Sequence, residues 1–240
     1  MKILTYNIEF GSGVGKGYYQ YLTKGWRYLF PDKKVVEHLG QLIKELDPDV
    51  VFLVEVKKGV IGETFRSLSK MIQYPHQFFF NAYTNRFLSS LPIERGNGCA
   101  VFSKYEIHNR RKEHFMEGFS KSAFEKFDIL DKTFFVLHLP LGKKTRDIQL
   151  HELIKFVDSN GKKDVVILGD LNTFQGRVET DELLKHCGLL NANKLNQKTF
   201  PSWQPKKEFD YVLISKDISL KDFKILHSDI SDHLPILVEI

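Results

Sequence analysis

The sequence predicts an α/β fold in which two mixed sheets pack face to face with helices on the outside. Three observations carry this. Two unbroken apolar runs, Val50-Val51-Phe52-Leu53-Val54 and Val165-Val166-Ile167-Leu168, have the length and continuity of strands buried on both faces. Each run follows an amphipathic helical stretch that itself follows a strand-like stretch, so each half of the chain reads strand, helix, strand. Each run also ends at a carboxylate, Glu55 in one half and Asp170 in the other, which gives the chain a coarse two-fold echo. No linker, short-period repeat or low-complexity segment interrupts the pattern, so residues 1–240 are expected to form one domain, long enough to bury a sizeable core.

Composition sets bounds. Hydrophobic residues make up 42% of the chain and charged residues 27%, ordinary globular usage that excludes disordered and fibrous classes. The net charge of +5 slightly favours a polyanionic partner, but the basic residues fall in short clusters such as Arg110-Arg111-Lys112 and Lys206-Lys207 rather than in one stripe. The two cysteines, Cys99 and Cys187, sit far apart among apolar neighbours and read as buried thiols of a reducing compartment. The N-terminus runs straight into a strand pattern with no room for a signal peptide, and no apolar run approaches the ~20 residues of a membrane span. A cytoplasmic protein is expected.

Taken in order, residues 3–8 form a first strand that delivers Asn7 at its end. The glycine-rich piece at 11–17 fails the P-loop pattern, because Phe10 stands where its first Gly belongs and Gly17 where its Ser/Thr belongs. It is expected to be a flexible loop. Residues 18–30 interleave Tyr18, Tyr19, Tyr21, Trp26, Tyr28 and Phe30 with Lys24 and Arg27. Such a mixture suits base stacking and phosphate contact, and equally a loop folded onto the core. A helix runs from an Asp32 cap to Leu46, where Asp47-Pro48 stops it.

The strand at 50–56 carries Glu55 near its end, and a carboxylate there needs a cationic partner or a metal. A helix at 65–72 and strands at 77–80 and 99–102 follow. Residues 124–130 and 132–139 make a hairpin that places His138 at the end of its second arm. A helix at 147–157 leads into the strand 165–170, after which Asp170 and Asn172 lie on the same side of an extended chain. Residues 181–187 are helical, residues 209–214 form a strand headed by Asp210, and Ser231-Asp232-His233 precedes a terminal strand.

The strand-end residues Asn7, Glu55, His138, Asp170, Asn172, Asp210, Asp232 and His233 sit in the pieces Thr5-Tyr6-Asn7, Leu53-Val54-Glu55, Leu137-His138-Leu139, Gly169-Asp170-Leu171-Asn172, Asp210-Tyr211 and Ser231-Asp232-His233. In order and local context these resemble the endonuclease/exonuclease/phosphatase superfamily, over nearly the whole chain. The resemblance implies a four-layer α/β/β/α sandwich with its site at one edge of the two sheets. It implies Glu55 and Asn7 as metal ligands with Asp232 a further one, and hard oxygen donors suit Mg²⁺, with Mn²⁺ as a substitute. It implies His233, oriented by Asp210, as the group that takes a proton from the attacking water, with Asp170 the competing base. Asn172 is implied as a donor to a phosphate oxygen, and His138, if protonated, as positive charge beside it. Two departures stand out: Val54 occupies a position where many relatives carry Gln, and Glu208-Phe209 replaces a basic and an aliphatic residue.

The expected function is therefore a metal-dependent phosphodiesterase, with nucleic acid, DNA or RNA, as the leading substrate. A phospholipid head group or a small soluble phosphate ester is the runner-up. A binding module that kept the fold and lost catalysis is the third reading, and it conflicts with every catalytic position being filled.

Overall fold

The computed structural model describes residues 1–28, 30–59, 63–81, 96–116 and 121–240. One sheet has six strands: β1 (Lys2–Asn7), β2 (Val50–Lys57), β3 (His76–Phe80), β4 (Asn97–Ser103), β11 (Asp222–Ile225) and β12 (Ile236–Glu239). The second is built from β5 (His108–His114), β6 (Ala123–Ile129), β7 (Lys132–His138), β8 (Val165–Asp170), β9 (Leu189–Asn191) and β10 (Asp210–Ser215). Their orders are β11-β12-β1-β2-β4-β3 and β5-β6-β7-β8-β10-β9. Each sheet has one parallel pair at its centre, β1 with β2 and β7 with β8, and every other pairing is antiparallel. The two-fold echo in the sequence is this repeated topology, and the sheets are mixed, as expected.

Alternation along the strands sorts the apolar side chains into three cores. Val50, Phe52 and Val54 of β2 join Phe134, Val136, Val166 and Leu168 of the other sheet in the central one. Val51 and Leu53 point the opposite way, onto Val36, Leu39 and Ile43 of the helix Lys33–Leu46 and Leu68 of the helix Thr64–Ile72. On the far side, Phe135, Val165 and Ile167 meet Leu150, Leu153 and Val157 of the helix Lys143–Ser159 and Leu183 of the helix Asp181–Cys187. Helix, sheet, sheet, helix is the four-layer order. Asp32 caps its helix as predicted, accepting from the backbone N–H of Lys34 at 2.9 Å.

Topology brings the functional ends together. Parallel strands end at the same edge, so β1 and β2 deliver Asn7 and Glu55 side by side, and β7 and β8 deliver His138 opposite Asp170. β10 runs against β8 and therefore starts where β8 ends, with Asp210 in register with Asp170. β12 runs against β1, so the residues that precede it, 231–233, reach the same edge.

Three features depart from the sequence reading. The exposed edge strand β5, with the sequence HNRRKEH, lacks the apolar alternation by which strands are recognised, because it faces solvent. The short strands β9 and β11 likewise carry too few residues for a pattern. The glycine-rich stretch is not a flexible loop: Ser12 and Val14 are fully buried, and a Cβ on Gly15 would lie 2.1 Å from the carbonyl oxygen of Asp229. Gly15 thereby allows close packing of backbone on backbone.

Candidate functional site

The cleft at the shared strand edge has a volume of about 380 Å³ and is lined by Asn7, Glu55, His138, Asp170, Asn172, Asp232 and His233 of the predicted set. Asp210, directly behind His233, completes it.

Local backbone aims several of these groups. Between Leu53 and Val56, β2 carries one residue more than its partner β4, and Glu55 sits at the extra position with φ 57°. A bulge of this kind re-aims a side chain that regular alternation would send into a core. Asn172 also has positive φ, 51°, a conformation Asn tolerates. Ahead of them, Gly169 has φ +154°, and a Cβ there would sit 1.9 Å from the carbonyl oxygen of Leu137. A side chain at that point has no room against β7.

Asp170 is the hub. Asn7 Nδ2 donates to its Oδ2 at 3.0 Å, a hydrogen bond that ties one sheet to the other, and the backbone N–H of Asn172 donates to its Oδ1 at 3.0 Å. Burial, with repulsion from Asp210, pushes its carboxyl up to about 6 against the relief supplied by His233 and Lys121. Asn172 Nδ2 donates to the Leu139 carbonyl at 2.9 Å. His233 Nδ1 meets Asp210 Oδ2 at 2.7 Å. Burial alone would lower the His233 imidazole, but Asp210 and Asp232 outweigh it and hold the ring well above its ordinary value.

His138 packs against a lysine. Its Nε2 lies against the Lys121 amine and 3.4 Å from Asp170 Oδ2. Burial, reinforced by Lys121 and His233, holds its pKa well below the ordinary histidine value, which favours the neutral ring. The positive charge at this point of the cleft belongs to Lys121.

Sequence reasoning missed Lys121 and Glu9, and it named Tyr21 and Tyr28 only within the aromatic stretch, without their bonds to Asp232 and Glu9. Glu9 is buried, accepts from Ser12 Oγ at 2.5 Å and from Tyr28, and its carboxyl is pushed up to about 9 by burial and then by Asp232. Tyr21 donates to Asp232 Oδ2 at 2.6 Å. The only available signal was an acid two residues beyond Asn7 in an apolar frame; Lys121 had none. A ladder of rings, Phe174 on Phe209 (4.8 Å between centroids), Phe209 on Phe200 (5.0 Å) and Phe200 on His233 (4.9 Å), forms the apolar wall of the cleft.

The donor set fits a hard divalent cation. Five carboxylates, from Glu9, Glu55, Asp170, Asp210 and Asp232, crowd one cleft with Lys121 and His233 as the cations beside them. Glu55 is pushed up to about 7, chiefly by burial, with repulsion from Asp232 and Asp170 only partly offset by Lys121. Such an excess of buried negative charge is what a bound cation relieves. Among the described residues, ligand atoms on Asp170, Asp210 and His233 lie within 4.8 Å of one another. His233 Nδ1 and the Asp170 oxygens are already engaged in the hydrogen bonds above, whereas Glu55 Oε1 faces His138 Nε2 at 3.8 Å, beyond hydrogen-bond distance.

Comparison with known proteins agrees with this architecture. The sequence model of the endonuclease/exonuclease/phosphatase family matches residues 4–233. A search of curated proteins returns no match. Among solved structures, an endonuclease/exonuclease/phosphatase from Beutenbergia cavernae superposes with a TM-score of 0.75 at 16% identity, covering 99% of this chain and 70% of that one. The human Nocturnin catalytic domain with bound sulfate gives 0.74 at 18% identity, covering 99% and 92%. A mannosyl-6-phosphatase from Bacteroides thetaiotaomicron gives 0.72 at 15% identity, covering 100% and 98%. At these identities the likeness concerns the fold.

Proposed function

The chain belongs to the endonuclease/exonuclease/phosphatase family, whose members hydrolyse phosphoric esters, and from that premise we propose that it is a divalent-metal-dependent phosphodiesterase acting on nucleic acid. The observation that supports this best is the convergence of Asn7, Glu55, Asp170, Asp232 and the Asp210–His233 pair in one acidic cleft beside Lys121. Glu55, Asn7 and Asp232 would hold the ion, Mg²⁺ or in its place Mn²⁺, which when bound supplies Lewis-acid stabilisation of the departing oxygen. Asp210 fixes His233 through Nδ1 and leaves Nε2 toward the attacking water, where it would take the proton once a cation held by Asp232 offsets the negative charge that now keeps the ring protonated. Both oxygens of Asp170 accept hydrogen bonds from this chain, which suits it to orienting Asn7 and Asn172 rather than to acting as the base. Asn172 and Lys121 then face the phosphate, one as a neutral donor and one as a cation.

A nucleic acid substrate accords with the net charge of +5, and a cytoplasmic location with two buried free cysteines. No helix among the described residues is long and apolar enough to cross a membrane. The second reading is a small phosphate ester, favoured by a cleft volume of about 380 Å³, within the range of small-molecule sites. The deciding experiment is a substrate panel: plasmid DNA, abasic duplex, RNA, a simple phosphodiester, a phosphomonoester and sphingomyelin, each with Mg²⁺ and with chelator. Chelator-sensitive cleavage of DNA or RNA is expected. Activity confined to the monoester moves the protein to the second reading, and none on any substrate favours a binding module.

A further inference from the structure

Beside the cleft stands a surface that the hydrolytic reading leaves unused. The short helix Tyr19–Lys24 and the turn Gly25–Tyr28 send two tyrosines inward, Tyr21 to Asp232 and Tyr28 to Glu9, which fixes this segment as the rim of the site. Its other large side chains face outward. Tyr18 and Tyr19 are each 61% exposed, Trp26 60% and Leu22 92%, on a chain whose core would readily accept such residues. Trp203, from the loop after β9, braces them: its ring stands edge-on to Tyr18 at 5.0 Å and to Tyr21 at 6.3 Å.

Cations are threaded through the rings. The Arg27 guanidinium lies 5.6 Å from the Trp26 ring centroid, and Lys33 and Lys34 are exposed just beyond. Arg27 itself is held by Asp32 at 2.9 Å and by the Ser12 carbonyl, so it is a fixed part of the platform.

We infer that this surface, resting on the phosphodiesterase reading above, is a stacking platform for the bases of single-stranded nucleic acid that flank the scissile phosphate. A polymer with one phosphate in the acidic cleft must leave it past some part of the rim, and over this part the exposed rings meet unstacked bases while the lysines meet the next phosphates. Ring faces accept any base, so the platform adds affinity without sequence preference. A lipid surface is the competing occupant. Tyr18, Tyr19 and Trp26 carry polar edges, and among the described exposed residues of this stretch Leu22 and Phe30 are the wholly apolar ones. That suits a face wetted between substrates better than one sunk into acyl chains.

The chain has two tryptophans, Trp26 and Trp203, and both belong to this surface, so intrinsic fluorescence reads it directly. The full chain in excess chelator, which blocks cleavage, is titrated with an oligothymidylate of roughly 15 nucleotides and separately with vesicles of phosphatidylcholine and phosphatidylserine. Saturable quenching by the oligonucleotide is expected. Tyr19→Ala and Trp26→Ala, both at exposed positions, are each expected to weaken binding at least about fivefold, with circular dichroism unchanged. A response to vesicles but not to oligonucleotide overturns the inference in favour of a membrane, and no response to either overturns it outright. DNA or RNA cleavage with affinity unaltered in both variants would remove the platform and leave the hydrolase. Oligonucleotide binding with no metal-dependent cleavage of any panel substrate would remove the hydrolase and leave the platform.

Discussion

His233 and Glu55 do different work in one cleft, and single substitutions separate them. His233→Ala removes the group placed to accept the water's proton, so turnover should fall on the order of 10²–10⁴-fold. Because His233 is not among the residues assigned to hold the ion, the Mg²⁺ concentration for half-maximal activity should stay where it was. Unchanged turnover would take His233 out of the mechanism. Glu55→Gln keeps the shape and removes the charge. It should move the Mg²⁺ requirement upward and shrink the rise in Tm that Mg²⁺ gives the wild-type chain, since a ligand stabilises the fold in proportion to its binding. If neither the activity titration nor the thermal shift moves, Glu55 is only structural. At this scale the sequence was informative where a polar residue interrupted a strand pattern, as at Asn7, Glu55 and Asp170. It was silent where a residue's importance comes from its neighbours in space. Lys121 meets His138 across 17 positions of chain, and nothing in the residues around either one announces the pair.

At the scale of elements, the site depends on how two strands depart from regularity. β2 gains a residue at Glu55, and β8 passes β7 so closely at Gly169 that a methyl group has no room. The strands themselves were legible because Val50 to Val54 and Val165 to Leu168 are apolar without a break. The bulge was not, because an extra residue leaves no mark in an apolar run; only the pairing with β4 exposes it. β5 escaped for the opposite reason, its seven residues being polar on both faces at a solvated edge. A prediction follows for Gly169. Gly169→Ala must either push β7 away or twist β8, and overpacking of that kind costs about 1–3 kcal/mol, here falling on the strand that presents Asp170. The variant should unfold at lower urea concentration and lose turnover together. A variant with wild-type stability would mean the backbone yields more easily than a 1.9 Å approach allows.

For the whole molecule, the question is whether the two sheets are separable. Each has its own helical layer and its own outer core, so two half-domains that merely touch would be conceivable. The central core argues against it. It draws on both sheets residue by residue, and Phe78 of β3 meets Phe127 of β6 edge-to-face at 5.4 Å across the interface, while Phe127 in turn stacks on Phe134 of β7 at 5.4 Å. The hydrogen bond from Asn7 to Asp170 crosses the same boundary at the site edge. Neither sheet can bury its inner face alone, so we propose that residues 1–240 fold as one domain. Urea unfolding followed by tryptophan fluorescence, which senses the rim formed by residues 18–28 and the Trp203 loop of the second sheet, and by circular dichroism, which senses both sheets, should then give coincident transitions. Phe127→Ala opens the central core at a fully buried ring and should lower stability by about 3–5 kcal/mol, shifting both transitions together. Two separated transitions, or a Phe127→Ala shift seen by one probe and not the other, would show that the sheets melt independently. The catalytic edge would then be the meeting line of two domains.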